Sequence, residues 1–444
     1  MMKRLFFTLL CGIAAALTAA EPEFAAKIST GEYVSAGTPV DFEIVLRNDG
    51  KPIPDSVVMW SILFNGKVID KGQCDGSAPL KISCTKEKYP VINQPGWLAV
   101  KTNAKVKGKT VTYKYNHSRR AIVGGAGVLI DIGKIRPGKA APADFLDFWK
   151  QQREELNQVP IKATYEPYPA KKFPKSAKGK VEAFDVKVTC SGPKPVSGYL
   201  FKPVGAQPKS LPAIVFYHGA GVRSARPHFD YGTKAICFDV NAHGIPNGKP
   251  QSYYDSLAQG ELSGYRNFGA ASRDTVYFRY MYHRVMRALD FVKQMPEWNG
   301  KDLIVYGHSQ GGGQSIAAAC LDPQVTVCLP MVHANGDHFA QRLGRKPGWP
   351  YFLERANSSD LAKVEAAVQY YDNAFFAANI KPSCKVWMST GLLDTTCVPT
   401  SVFAYYNSLP DGIVKRIYLA QGKDHNSGNP EAALWLHKFL GIEK

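Results

Sequence analysis

The chain has 444 residues, of which 45% are hydrophobic and 21% charged, with a formal net charge of +18. That length exceeds the size at which a single hydrophobic core stops growing, so two domains are expected, and the apolar content is enough for both to pack. The lysines are scattered rather than blocked, which fits an acidic polymer or anionic surface as a partner no better than ordinary solubility.

The N-terminus reads Lys3-Arg4, a mostly apolar stretch from Leu5 to Leu17, and Thr18-Ala19-Ala20 before Glu21. Residues 1–20 are expected to be a secretory signal peptide cleaved after Ala20. The stretch is shorter than the roughly 20 apolar residues a membrane anchor needs, and no later segment is long and apolar enough to span a bilayer. Leu10 stands before Cys11 where a lipoprotein would need a small residue. The expected location is therefore the periplasm or the outside of the cell, which argues against a nucleic-acid partner and permits disulfides. Cys74 and Cys84 flank the turn-like Asp75-Gly76-Ser77-Ala78-Pro79, the spacing of a hairpin-bridging disulfide, whereas Cys237, Cys320 and Cys328 sit among apolar neighbours as small buried hydrophobes. No His/Cys spacing resembles a metal site.

Residues 21–125 carry short β-type runs such as Val40–Leu46, Val57–Phe64 and Thr110–Tyr115, separated by turn signals including Asn48-Asp49-Gly50 and Asn65-Gly66. This pattern predicts a small Ig-like β-sandwich without a catalytic cluster, closed by Gly124-Gly125-Ala126-Gly127. Residues 126–444 alternate strands and helices and predict an α/β domain with a mostly parallel sheet covered on both faces. Its elements include an amphipathic helix over Asp144–Leu156, strands over Phe184–Thr189, Ser197–Pro203, Ala213–Tyr217 and Ala235–Val240, and a helix over Val276–Met295 that Pro296 ends. On that long helix Phe278, Met281, Val285, Leu289 and Val292 form the core side. Tyr253, Tyr254, Tyr265, Phe268, Trp349, Tyr351 and Phe352 fall in stretches read as loops, where they either face sugar rings or pack under the loops.

The chemistry concentrates at Gly307-His308-Ser309-Gln310-Gly311, which follows the apolar run Leu303–Tyr306 and precedes a small-residue helix. Strand, sharp turn and helix with a serine at the apex is a nucleophile elbow. A serine hydroxyl is a weak nucleophile alone and needs a base oriented by a carboxylate. In sheets of this type the three arrive in the order Ser, acid, His. Strand Val386–Thr390 leads to Gly391-Leu392-Leu393-Asp394, and strand Ile417–Leu419 leads to Gln421-Gly422-Lys423-Asp424-His425. Asp394 and His425 are therefore the expected acid and base. His333, His338 and Asp337 precede the expected acid, Asp424 adjoins His425 and diverges from it, and His437 lies inside the last helix. The expected oxyanion donors are the backbone N–H groups of Gln310 and of Ala220 in Tyr217-His218-Gly219-Ala220-Gly221, with His218 bonding locally.

Phe145-Leu146-Asp147-Phe148-Trp149, Tyr217-His218-Gly219, Arg287-Ala288-Leu289, the run Ser309-Gln310-Gly311-Gly312-Gly313 and the acid loop from Gly391 to Pro399 together resemble the acetyl xylan esterase and cephalosporin-C deacetylase family, carbohydrate esterase family seven, from about Ala140 onward. The resemblance implies an α/β hydrolase that removes acetyl groups from sugar hydroxyls with no cofactor or metal, and a ring-shaped homo-oligomer. Asn241-Ala242-His243 replaces the family's Arg-Gly-Gln, and His425-Asn426 its His-Glu. Those departures bear on substrate preference and, with the added N-terminal sandwich, on the ring. An aryl- or feruloyl-type esterase, a peptidase on the same scaffold, and a non-catalytic carbohydrate-binding protein are the rival readings.

Overall fold

A computed structural model describes residues 21–115 and 118–442; the expected signal peptide, residues 1–20, lies outside them. The first part of the chain is built of strands in two main sheets. In one, Glu23–Ile28 and Leu80–Cys84 both pair antiparallel with Val40–Asn48. In the other, Gly124–Ile130, Gly96–Val106, Ser56–Phe64 and Lys67–Asp75 lie side by side. Alternating residues of both sheets, among them Phe42, Ile44, Ile62, Ile82, Leu98 and Val128, meet in one apolar cluster. The glycine-rich stretch expected to end this region is a strand in it: Gly124–Ile130 is buried along its whole length, pairs with Gly96–Thr102, and runs past residue 125. Glycine is required there because a Cβ on Gly125, at φ +122°, would fall 1.8 Å from the Val100 carbonyl oxygen.

The expected Cys74–Cys84 disulfide is not formed. The two thiols are free and sit in strands of different sheets, Lys67–Asp75 and Leu80–Cys84, so the turn between them joins sheets instead of closing a hairpin.

The remainder forms a nine-stranded sheet in the spatial order Ala163–Pro167, Val181–Val188, Val196–Pro203, Ile236–Val240, Leu211–Tyr217, Trp298–His308, Val327–Met331, Lys385–Gly391 and Lys415–Ala420. The first four pair antiparallel with one another; from Ile236–Val240 onward every pairing is parallel. Parallel strands demand cover on both faces. Helices Phe145–Asn157, Phe278–Lys293 and Gln310–Leu321 pack on one side with Val215, Val305 and Met388. Helix Pro430–Leu440 packs on the other with Ile214, Ile304 and Leu329.

The helix expected over Val276–Met295 is shorter, Phe278–Lys293, and is buried on nearly all sides. Two of its arginines lie inside because backbone carbonyls take their charge: Arg284 donates to Ala242 O at 2.7 Å, and Arg287 to Leu156 O at 2.6 Å and Val159 O at 2.8 Å. Of the aromatics expected on loops, Tyr254, Tyr265, Trp349 and Phe352 are buried in the main cluster, and Tyr253 and Tyr254 lie on the helix Gln251–Gln259. Packing, the second of the two readings, therefore accounts for those four. No helix among the described residues is long and apolar enough to cross a membrane.

Candidate active site

Ser309 sits between the strand ending at His308 and the helix beginning at Gln310, with φ 58° and ψ −120°. That conformation is costly for a residue with a Cβ, on the order of 1–3 kcal/mol. Three backbone hydrogen bonds impose it: Ser309 N donates to Met331 O at 2.9 Å, while Ser309 O accepts from Gly313 N and Ala334 N at 3.0 Å each. The flanking glycines allow the approach, since a Cβ on Gly307 would fall 2.1 Å from Gly311 O and one on Gly311 1.9 Å from Tyr217 O.

Asp394 follows the strand Lys385–Gly391, and His425 follows the strand Lys415–Ala420. The parallel strands thus deliver all three groups to one edge of the sheet. His425 Nε2 lies 2.8 Å from Ser309 Oγ, and His425 Nδ1 lies 2.8 Å from Asp394 Oδ2. The tautomer that satisfies both contacts carries its proton on Nδ1, donates it to Asp394 and accepts the serine proton at Nε2. Asp394 is fully buried, and its other oxygen accepts from Thr396 N at 2.7 Å and Cys397 N at 3.0 Å, which fixes the carboxylate. Ser309 is 5% exposed.

The competing groups are engaged elsewhere. Asp337 pairs with Arg345 at 2.7 Å, and Asp424 accepts from Asn426 N at 3.0 Å. Burial pushes the His333 imidazole down to about 4, and His338 is lowered for the same reason. His218 accepts from Ala242 N at 3.1 Å through Nε2 and contacts Gly219 O at 2.7 Å through Nδ1, a local bonding pattern.

Gln310 opens a helix, whose first-turn N–H groups have no intrahelical acceptor. A Cβ on Gly219 would lie 3.4 Å from Ser309 Cβ, so Ala220 stands one residue from contact with the serine. The two expected oxyanion donors thus lie on the segments that flank the serine, Gln310 directly after it and Ala220 on the loop packed against it. Several supporting residues escaped sequence reasoning. Tyr265 donates to Gln310 Oε1 at 2.5 Å, orienting that side chain. His243, in the segment that departs from the family pattern, accepts from Tyr277 OH at 2.7 Å and donates to Gly221 O at 3.2 Å, holding the loop that carries Ala220. The Cys397 thiol, pushed well up by burial, is within hydrogen-bonding reach of Ser309. None of these bears a motif, and only the fold brings them to the serine. Among the described residues no His, Cys, Asp and Glu side chains converge as a metal-binding group.

Comparison with known proteins places the chain in a family. The family model for acetyl xylan esterase (AXE1) matches residues 128–440. The chain belongs to the acetyl xylan esterase family. Acetyl esterase Axe7A of Xylanibacter ruminicola is 29% identical over 279 residues, which is 62% of this chain and 61% of that relative. The chain therefore spans less than two thirds of that curated relative's length. Among solved structures, the acetyl xylan esterase of a Paenibacillus species is 26% identical with a TM-score of 0.57, covering 71% of this chain and 99% of its own. Acetyl xylan esterase 1 of a Thermoanaerobacterium species is 21% identical with a TM-score of 0.54, covering 71% and 98%, and shares the α/β-hydrolase fold. In acetyl xylan esterase family terms the matched region begins inside the strand Gly124–Ile130, so the strands before it lie outside the family model.

Proposed function

We propose that this protein is an exported serine esterase that removes acetyl groups from acetylated carbohydrate of the xylan or xylo-oligosaccharide type, with Ser309, His425 and Asp394 as its catalytic residues. The strands up to and including Gly124–Ile130 form an Ig-like sandwich, the residues after them the hydrolase, and residues 1–20 the export signal. The observation that carries the reading is the continuous hydrogen-bonded path from Ser309 Oγ through the imidazole of His425 to the buried carboxylate of Asp394, 2.8 Å at each step. Membership of the acetyl xylan esterase family supports the acetylated substrate.

Ser309 Oγ attacks the acetyl carbonyl carbon as His425 Nε2 takes its proton. The N–H groups of Gln310 and Ala220 receive the oxyanion, and each such donor is worth about 3 to 4 kcal/mol of transition-state stabilisation. His425 then hands the proton to the departing sugar oxygen, leaving acetyl-Ser309. Water, deprotonated by His425, attacks that ester; acetate leaves, and the proton returns to Ser309. Asp394 keeps the imidazole oriented and balances its transient positive charge. Every atom comes from substrate, water and these side chains, so the cycle requires neither cofactor nor metal.

The test is acetate release from a panel of acetylated xylan, acetylated xylo-oligosaccharides and longer-chain nitrophenyl esters. The reading expects the acetylated sugars to be turned over and Ser309→Ala to lose turnover. Acetate release surviving in Ser309→Ala, or preference for long acyl chains over acetyl, overturns it.

A further inference from the structure

The strands before the family-matched region do more than sit beside the hydrolase. Trp97, fully buried on the strand Gly96–Val106, donates its indole N–H to Leu392 O at 2.9 Å, and Lys101 Nζ on the same strand donates to Leu393 O at 3.3 Å. The next residue is Asp394. At the base loop, the Gln421 carboxamide accepts from Gly127 N and donates to Gly127 O, both at 2.9 Å, and Arg120 Nη1 donates to Asn426 Oδ1 at 3.2 Å, directly after His425. The junction is tight: a Cβ on Gly127 would fall 2.7 Å from Leu392 O. Apolar contact closes it, with Trp97, Ala99 and Leu129 in one cluster with Leu392, Leu393 and Val398.

We propose that the N-terminal β unit positions the acid and the base of the Ser309 site, with Trp97 and Lys101 as positioning residues for Asp394 and His425. The proposal rests on the serine-esterase reading above. A unit serving only for attachment has no physical need to place a buried indole donor and an ammonium on the two carbonyls that precede the acid. A reactive constellation does need such supports, because its geometry must hold within about 0.5 Å. The two contacts leave Asp394 on a loop whose preceding peptide groups cannot turn without breaking a hydrogen bond.

Lys101 also brings a charge into the junction. Burial lowers its ammonium, Asp424 and Asp394 oppose that, and Lys346 adds to it.

The experiment measures the rate at which a fluorophosphonate labels Ser309, across pH, in the full-length protein and in Trp97→Phe, Lys101→Met and Lys101→Arg, with thermal melting as a control for folding. Labelling reports activation of the serine whatever the natural ester. The expected results are a fall of about 10-fold for Trp97→Phe and for Lys101→Met at the optimal pH, with the wild-type rate restored in Lys101→Arg. Folded variants that label like wild type at every pH overturn the positioning role. Should Trp97→Phe fail to fold, the half-buried Lys101 side chain carries the test alone. A wild-type protein that takes no label overturns the serine reading itself, a result distinct from unaffected variants.

Discussion

At the scale of single residues, the site is a serine held in an unfavourable backbone conformation by neighbours that leave it no alternative. The φ of 58° at Ser309 persists because its N–H and carbonyl are committed to Met331, Gly313 and Ala334. In the proposed mechanism Asp394 acts by orientation. Its Oδ2 holds the Nδ1 proton of His425, so the amide of Asp394→Asn, which can present an N–H there, favours the wrong tautomer. That variant should fold normally and lose about 10⁴-fold in kcat; circular dichroism matching wild type together with nitrophenyl acetate kinetics checks both halves.

At the scale of elements, the elbow depends on two missing side chains. A methyl group on Gly311 would meet the Tyr217 carbonyl oxygen at 1.9 Å, where the helix after the serine crosses the strand that leads to the oxyanion loop. Gly311→Ala should therefore cost about 3 kcal/mol or more, read as a shift of the denaturant midpoint. This part of the molecule was legible in the sequence because its rule is local: small residues two before and two after a serine, between an apolar strand and a helix. The same holds for the positions of Asp394 and His425, each reached by counting from a strand end. The long helix was less legible, since Arg284 and Arg287 look like a solvated face, and nothing nearby in sequence announces the carbonyls of Ala242, Leu156 and Val159 that receive them. The cysteine spacing misled for a related reason. A short turn between two strands says nothing about whether they share a sheet, and Cys74 and Cys84 do not.

At the scale of the whole molecule, the β-rich N-terminal part and the hydrolase meet through contacts that composition cannot reveal. Trp97 and Leu392 are 295 residues apart, and Gly124–Gly127, which looks like a linker, is the buried strand at their junction. The interior also holds an unusual set of neutral imidazoles. Burial lowers His243 and His283 to about 3, His308 and His333 to about 4, and His218 well below its ordinary value. These groups stay neutral in the folded chain while their unfolded counterparts take protons below about pH 6.5. The stability they contribute is therefore present above pH 6.5 and is lost as pH falls toward their folded values, by up to about 1.4 kcal/mol per pH unit for each histidine. Asp337, raised to about 7 chiefly by burial, works in the opposite direction, since the folded chain then holds a proton that the unfolded chain releases above about pH 4. With these five histidines and His338, which burial also lowers, against one carboxylate, the denaturant midpoint should fall as pH drops from 7 to 5; a midpoint that rises over that interval would contradict the burial of these rings.

The central claim is that the hydroxyl of Ser309 attacks the acetyl carbon. Mass spectrometry of protein quenched in acid during turnover of an acetylated xylo-oligosaccharide tests it directly. The account predicts an acetyl group on the peptide that contains Ser309, absent from Ser309→Ala and accumulating when water attack is slowed. Steady acetate release with no acetyl on Ser309 at any time, or with the acetyl on another residue, would contradict it.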